Sequence, residues 1–486
     1  PRPGPTIGSP ALAANTYAEL MKAQYPLLLA MLAALATASP SRAGTIKVPA
    51  DHGTIKGAIA AARAGDRIEV SAGTYRERIA LKAGVTLVSA GDDSEGKLGL
   101  LRAERSIIDG AGEGEGAGVL MAEGSSIDGF TVTNVGQYDG ALWQKHWEER
   151  GENQDHAHIG GFGSPGIGAD GVSCLIRNCI VHHNGHTGIA LRGGDDAAYP
   201  LVCNNTCFRN MGGGIGLMGG VAGIVRDNRC FENFYAGIGH SDGASPLVVE
   251  NECHGNIRAG IGVSERSCPV VRANRCYANR RAGIGIRTGK ETRPVVEGNH
   301  CYENGMAGIG SKEEAQPILR GNRCERNAMA GIGAREGARP LLVGNQCREN
   351  KMAGIGLQQG CEAILWGNTC EANKLVAVGM PEGARAVLVD NKLSREGGMP
   401  PLVAIKGGSE AIVVGNTLRG GGVAGILLEG KAILADNDLG GEAGRSGNGI
   451  WLWKGSRAIS GENLIQGYKK ATNVSEGADW FGPGHE

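Results

Sequence analysis

The chain has 486 residues, 83 of them glycine, more than twice the usual share of roughly 7 %. Hydrophobic residues make up 41 % and aromatics only 4 %, while 49 Lys and Arg are balanced by 50 Asp and Glu. This composition excludes collagen, which needs an unbroken Gly-X-Y period, and a disordered chain, and it gives a nucleic-acid partner no electrostatic support.

Residues 1–20 precede Met21 and read as sequence outside the native mature protein. From Met21, one cation (Lys22) is followed by an apolar run from Leu27 to Ala38, then by Ser41-Arg42-Ala43 with small residues at −3 and −1 before Gly44. This is the layout of a signal peptide over 21–43, too short to span a bilayer. The expectation is an exported protein, secreted, periplasmic or on the cell surface, with no membrane span in its mature form. Residues 44–84 follow with a short amphipathic helix, Thr54 to Ala62, the strand-like RIEV and the turn GTY, which together suit a cap on a repeat array.

Between FTVTNVG and GIGADGV lies an insertion at about 138–165, unusually rich in Trp, His and acidic residues. Long loops on rigid scaffolds commonly carry function. Part of it is expected to fold back over the coils carrying His182 to Asp196, bringing His156 or His158 near them. Asp155, His156, His158, His182, His183, His186 and Arg192 are the candidate catalytic residues. Asp-His-x-His can ligate zinc or a similar divalent ion, and the same groups can act as general base and acid. The metal is unknown, and no cofactor is required by the pattern. A merely packed or solvated role for His182 and His183 stays open.

The middle of the chain repeats. The isoleucines of Ala-Gly-Ile-Gly and its variants stand at 215, 238, 261, 284, 309, 332 and 355, mostly 23 residues apart. An Asn column runs from Asn228 to Asn368, a second from Asn210 to Asn373, and a Cys column from Cys207 to Cys370. Each unit holds three short apolar stretches separated by Gly, Pro or Asn, none long enough for a helix. Three short strands per coil predict a parallel β-helix; the Leu spacing of a leucine-rich repeat is absent. Buried Asn would hydrogen-bond the Asn and backbone of the next coil. The Cys column continues as Leu393, Leu418 and Leu439 and is preceded by Val181, so its thiols are expected to point into the core as small hydrophobes. Occasional disulfides between neighbouring coils remain an alternative. His240 shares a column with Leu217 and Val263, and is expected to be a hydrogen-bonded core histidine.

Strict alternation in Ala-Gly-Ile-Gly would place Ala and Ile inward and both glycines outward, paving a flat strip. One wall would carry Tyr235, Arg258 and Arg281, then Met306, Met329 and Met352; the other Arg287, Lys312 and Arg335. Such a strip suits an extended polymer, and its cations an acidic one. Tyr235, Arg258, Arg281, Arg287, Lys312 and Arg335 are the candidate substrate-binding residues. Glycines that merely relieve crowding are the competing reading.

The helix entry after Val48-Pro49, Ala-Gly-Asp at 64–66, Gly-Thr-Tyr-Arg-Glu at 73–77 and Gly-Val-Thr-Leu at 84–87 resemble the entry of bacterial exported proteins of the pectin-lyase-like superfamily. With the repeats, the resemblance extends over residues 46 to about 470. It implies an all-β, single-stranded right-handed parallel β-helix of about 15 coils, with a short N-terminal capping helix, over 85–470, and a tail at 471–486. The superfamily holds lyases, hydrolases, esterases, epimerases and binding proteins. Asp155-His156 lacks the Pro and second Asp of the alginate-epimerase motif, and no Gly-x-Ser-x-Gly is evident. The leading expectation is an exported protein that binds an acidic polysaccharide, with lyase or hydrolase cleavage as its enzymatic form. In a β-elimination, Arg or a metal ion would neutralise the uronate while a His removes the C5 proton. A non-enzymatic surface or periplasmic scaffold or adhesion module is the alternative.

Overall fold

Short strands, most of three to five residues, alternate with corners, and one corner in each repeat turns on a residue that tolerates a left-handed backbone. Asp227, Glu250 and Ala273 take φ of 57°, 58° and 54° at successive copies of one corner, and Gly298, Gly321 and Gly344 take 62°, 60° and 60° at the next copies. The residue after this one is the buried Asn of the first ladder. The computed structural model describes residues 43–93, 96–112, 114–154, 163–194 and 198–483. From Thr45 onward the chain winds into a solenoid, each coil adding one strand to each of three parallel sheets of 18, 16 and 16 strands.

The first sheet runs from Thr45–Val48 to Asp479–Phe481, the second from Gly73–Arg76 to Leu464–Gln466, and the third from Ile79–Ala80 to Lys470–Val474. The expected coil number is about 15; the excess lies at the two ends, where strands such as Thr86–Ser89 and Arg457–Ser460 lack the Asn and Cys markers. The helix Ile55–Ala61 begins at Thr54, whose side chain accepts a hydrogen bond from the Gly57 amide. It buries Ile55, Ala58 and Ile59 against the first coils and so covers the open end of the core.

Two Asn ladders run through the interior. Asn228 donates through Nδ2 to Asn251 Oδ1 at 2.9 Å and to the Val202 carbonyl at 3.0 Å, while its amide donates to the same Oδ1 at 3.0 Å. The pattern repeats from Asn205 to Asn463 and, at the second corner, from Asn184 to Asn373. Corner amides such as those of Asn228 and Asn279, which the tight turns would otherwise strand in the core, thereby find acceptors.

The Cys column is continuous in register, Cys207 opposite Cys230 through Cys347 opposite Cys370, then Leu393 and Leu418. All 13 cysteines are free thiols, and twelve are buried. Burial raises Cys230 well above the usual thiol range and pushes Cys174, Cys179 and Cys361 up to about 12. Labelling with a thiol reagent in native buffer is therefore expected to modify Cys268 alone, the one exposed cysteine, with the other twelve reacting only after denaturation. Rapid native labelling at more than one site would contradict a thiol ladder inside the core.

Candidate functional site

The third sheet carries the site. Ile238, Ile261, Ile284 and Ile309 point inward and are fully buried, so the glycine after each points outward. A Cβ at Gly239 or Gly310 would meet nothing within 4 Å, and one at Gly262 or Gly285 only an Ala Cβ at 3.6 Å. The glycine before each Ile faces the other way. A Cβ at Gly237 would lie 2.8 Å from the Gly260 carbonyl oxygen, 2.9 Å from Asn256 Nδ2 and 3.2 Å from Cys230 Cβ. Here the alternation reading is corrected: only one glycine per coil paves the strip. The chain turns its corner at Ala-Gly, which breaks the two-residue period and puts Ala236, Ala259 and Ala282 on the outside beside it.

The result is an open groove of about 610 Å3, floored by Gly and Ala and running from Thr187 and Gly213 to Ala404 and Lys406. Nine strands of the third sheet, from Ile215–Met218 to Val403–Ile405, underlie it, a length of roughly 38 Å at the usual interstrand spacing. One wall is a single hydrogen-bonded column. Gly212 N donates to His186 O at 3.0 Å, Tyr235 N to Gly212 O at 3.0 Å, and the sequence continues through Arg258, Arg281, Met306, Met329 and Met352 to Leu375. The other wall carries Ser241, Ser264, Arg287, Lys312, Arg335 and Gln358. Lys312 pairs with Glu313 and lies 3.8 Å from Glu336, and Arg335 pairs with Glu336 at 3.2 Å.

The insertion shapes the first wall. Asp139 caps the helix Gly140–Glu148 by accepting from the Leu142 amide. Trp143 donates to the Glu232 carbonyl at 2.8 Å and stacks on Trp147 at 5.3 Å, with the Arg209 and Arg280 guanidinium groups over the two rings at 4.3 and 4.5 Å. Trp143, Phe234 and Ile257 form a small core of their own. As expected, part of the insertion lies over the coils of His182 to Asp196: Tyr138 meets the His183 ring edge-on at 4.6 Å, and Gly163 is so close to His186 that a Cβ there would lie 2.6 Å from its ring. The helix itself settles on the next three coils. The reason is the apolar corner column Met211, Phe234 and Ile257, against which the two Trp rings pack. This docking also claims two wall cations. Arg258, 8 % exposed, donates to the side chain and carbonyl of Gln154, and Arg281 donates to the Gly151 carbonyl. Burial lowers the Arg281 pKa. Both are expected from the sequence as groove-facing contacts; they also brace the insertion.

The remaining candidates divide. His182 ends the strand Ile180–His182 of the second sheet and His183 follows it at the left-handed corner, their Nδ1 atoms 2.8 Å apart, and His182 also lies 3.3 Å from Thr133 Oγ1. Burial holds the His182 pKa down at about 4 and lowers that of His183, so both are neutral near pH 7. His182 stacks on Phe208, the start of an aromatic ladder through Phe231, His254 and Tyr277 to Tyr302. His186 and Arg192 sit instead at the two edges of the third sheet, just before the groove begins. His186 Nδ1 is 3.3 Å from Thr187 Oγ1, and Arg192 is 4.0 Å from Asp170. Asp155, His156 and His158 lie outside the described residues. Among the described residues, no three His, Cys, Asp or Glu side chains converge as metal ligands would. His240 lies in the core, its Nδ1 2.9 Å from the Gly262 carbonyl, with burial holding its pKa at about 4.

Solved structures with a similar solenoid include the periplasmic alginate epimerase AlgG, at 16 % identity over 73 % of this chain and 77 % of that one, TM-score 0.42. The A-module of the Azotobacter vinelandii mannuronan C-5 epimerase AlgE4 is 15 % identical over 88 % and 95 % of the two chains, TM-score 0.29. The catalytic unit of the GH87 alpha-1,3-glucanase from Streptomyces thermodiastaticus is 13 % identical over 90 % and 71 %, TM-score 0.43. No curated protein matches the sequence. The family described as "Right handed beta helix region" matches residues 149–292 and 271–399, more than half of the chain and the coils that build the groove, and the chain belongs to that right-handed β-helix family.

Proposed function

We propose that this chain is an exported, carbohydrate-binding β-helix protein that holds an acidic polysaccharide extended along the third-sheet groove. The observation that carries this reading is the bare floor: one outward glycine per coil from Gly239 to Gly356, open to solvent, between walls that differ in chemistry. Glycine weakens a strand interior, and its repetition at the one outward position leaves backbone that a ligand can approach closely. A roughly 38 Å trough fits a linear polymer better than a small molecule. Arg287, Lys312 and Arg335 present a cation on three successive coils. The partners of Lys312 and Arg335, Glu313 and Glu336, are themselves partly exposed, and such pairs are weak enough for a ligand carboxylate or sulfate to compete.

The test is the triple variant Arg287→Glu, Lys312→Glu, Arg335→Glu, titrated with polyuronates and sulfated glycosaminoglycans at low and high salt. Wild-type binding should weaken with salt, and the variant should bind at least about tenfold more weakly, equivalent to roughly 1.4 kcal/mol. Equal affinity of the two proteins for every acidic glycan would overturn the reading. Cleavage, where it occurs, would be a β-elimination at the groove's entrance, with Arg192 neutralising a uronate carboxylate and His186 taking the C5 proton. The C5–H electron pair forms the C4=C5 double bond, and the C4–O glycosidic bond breaks with its oxygen leaving as a hydroxyl protonated by His186 or water. Unsaturated products released by the wild type and lost in His186→Ala would assign that step.

A further inference from the structure

The face opposite in chemistry to the groove is the outside of the first sheet. From Leu175 through Ile224, Val270, Ile318 and Ile412 to Phe481, every coil turns one aliphatic or aromatic side chain outward at the same register position. No polar residue interrupts this column. Its members remain uncovered, with Ile364 and Ile459 each 49 % exposed. In the C-terminal half a second outward column is apolar as well, including Val343, Val389 and Val414, with Trp366 56 % exposed. An apolar strip this long on the surface of a single subunit is unusual and marks an interaction surface.

Beside the strip runs a third outward column in which charge alternates over five coils, Arg339, Glu362, Arg385, Glu410 and Lys431, before Arg457 and Asp479 end it. Within the chain these pair along the solenoid axis, Arg339 with Glu362 at 3.3 Å, Arg385 with Glu362 and with Glu410 at 3.6 Å, and Lys431 with Glu410 at 3.1 Å. All five side chains are well exposed, so the pairs contribute little to folding.

We propose that this face binds a second copy of the chain, the two solenoids lying antiparallel with their first sheets face to face. A two-fold axis directed along the strands reverses the coil order and keeps each column opposite its own copy. With the axis between the coil of Glu362–Trp366 and that of Arg385–Val389, Glu362 faces Arg385 of the partner subunit, and Arg339 faces Glu410 of the partner subunit. The same operation sets Ile364 opposite Val387 of the partner subunit and Leu341 opposite Ile412 of the partner subunit. Alternation of sign from Arg339 to Glu410 lets these four residues pair when the ladder is reversed about this axis, and the apolar column matches itself in any register. The four charges favour this register and the apolar strip supplies the attraction. About this axis ten coils of each subunit face one another, those of Val270 to Phe481, a strip of about 43 Å, and three outward columns give a width of about 13 Å. The product, roughly 560 Å2 per subunit or about 1,100 Å2 in all, lies at the low end of what a specific interface buries. The groove lies on a different sheet and stays open in such a dimer.

Sedimentation equilibrium of the full chain tests this, with liposomes as a separate arm. The wild type should be a dimer at micromolar concentration. Ile364→Asp with Ile412→Asp should be monomeric with an unchanged melting temperature, because both positions face outward. Arg385→Glu should weaken association at least about tenfold, and Arg385→Glu with Glu362→Arg should restore it by exchanging both members of the cross-subunit pair. A wild type that stays monomeric, a dimer indifferent to all of these variants, or a monomer that binds liposomes through this face would each overturn the proposal. Loss of glycan binding alone would leave it standing.

Discussion

Gly310→Trp is expected to cut polysaccharide binding roughly hundredfold, about 2.7 kcal/mol, while shifting stability by no more than about 0.5 kcal/mol. A side chain at Gly310 enters open space, since a Cβ there has no neighbour within 4 Å, and it rises from the groove floor at the strand Ile309–Ser311. An indole in that position occupies the path of any chain lying along the trough. The control stands two residues away. A Cβ at Gly308 would sit 2.7 Å from the Gly331 carbonyl oxygen, 2.8 Å from Asn327 Nδ2 and 3.0 Å from Cys324 Cβ. Gly308→Ala must push neighbouring coils apart or break the Asn ladder, at a cost of about 3 kcal/mol. Small on the inside should therefore harm folding more than large on the outside. Glycan titration and urea unfolding on both variants check the pair. If Gly310→Trp binds normally, the ligand does not follow the floor.

The two glycines show where the sequence is transparent and where it is not. The 23-residue spacing of Ile215 to Ile355 exposes the coil, and the replacement of Cys370 by Leu393 in the next coil exposes the direction of the thiols. Each inference needs only one column compared with itself. Gly237 and Gly239 look equivalent under a two-residue period, and only the corner between them, built by contacts to the following coil, separates their directions. The wall residues fail for a related reason. Arg258 and Arg281 lie in one column with Tyr235, yet their partners Gln154 and Gly151 are 104 and 130 residues away and belong to no repeat. The docking site of the insertion did leave a mark, in Met211, Phe234 and Ile257, one position past each Asn where the corner faces solvent. Likewise Leu247-Val248-Val249 reads as uniformly apolar, and its outward members pass for core unless sheet faces are assigned first.

The second large effect is expected from the Asn ladder, which keeps the groove floor straight. Asn279 donates Nδ2 to Cys253 O and to Asn304 Oδ1, each at 3.0 Å, and its amide donates to the same Oδ1 at 3.1 Å. Its own Oδ1 accepts the Asn256 side chain at 2.9 Å and the Asn256 amide at 3.1 Å. Asn279→Ala takes the side-chain donor from the Cys253 carbonyl and the acceptor from the Asn256 amide and from one Asn256 Nδ2 proton, whose other bond to Cys230 O remains, in a site that water does not reach, at about 1–3 kcal/mol per stranded group. The expected loss is about 4 kcal/mol. Asn373, at the end of this ladder, still accepts from Asn350 at 2.9 and 3.0 Å but donates only to Cys347 O. Asn373→Ala strands the same kinds of group beside coils whose corners are built without a further Asn, where local adjustment is easier, and should cost roughly half as much. Amide exchange distinguishes this from a uniform packing loss. In Asn279→Ala the faster exchange should concentrate on the coils of Cys253 to Asn304, because each coil contacts mainly its neighbours. The glycine floor over those coils, Gly262 and Gly285, should lose its fixed spacing with them, so glycan affinity should fall in Asn279→Ala and hold in Asn373→Ala. Equal losses of stability and affinity in the two variants would show that the ladder acts as isolated corner bonds and does not set the line of the groove.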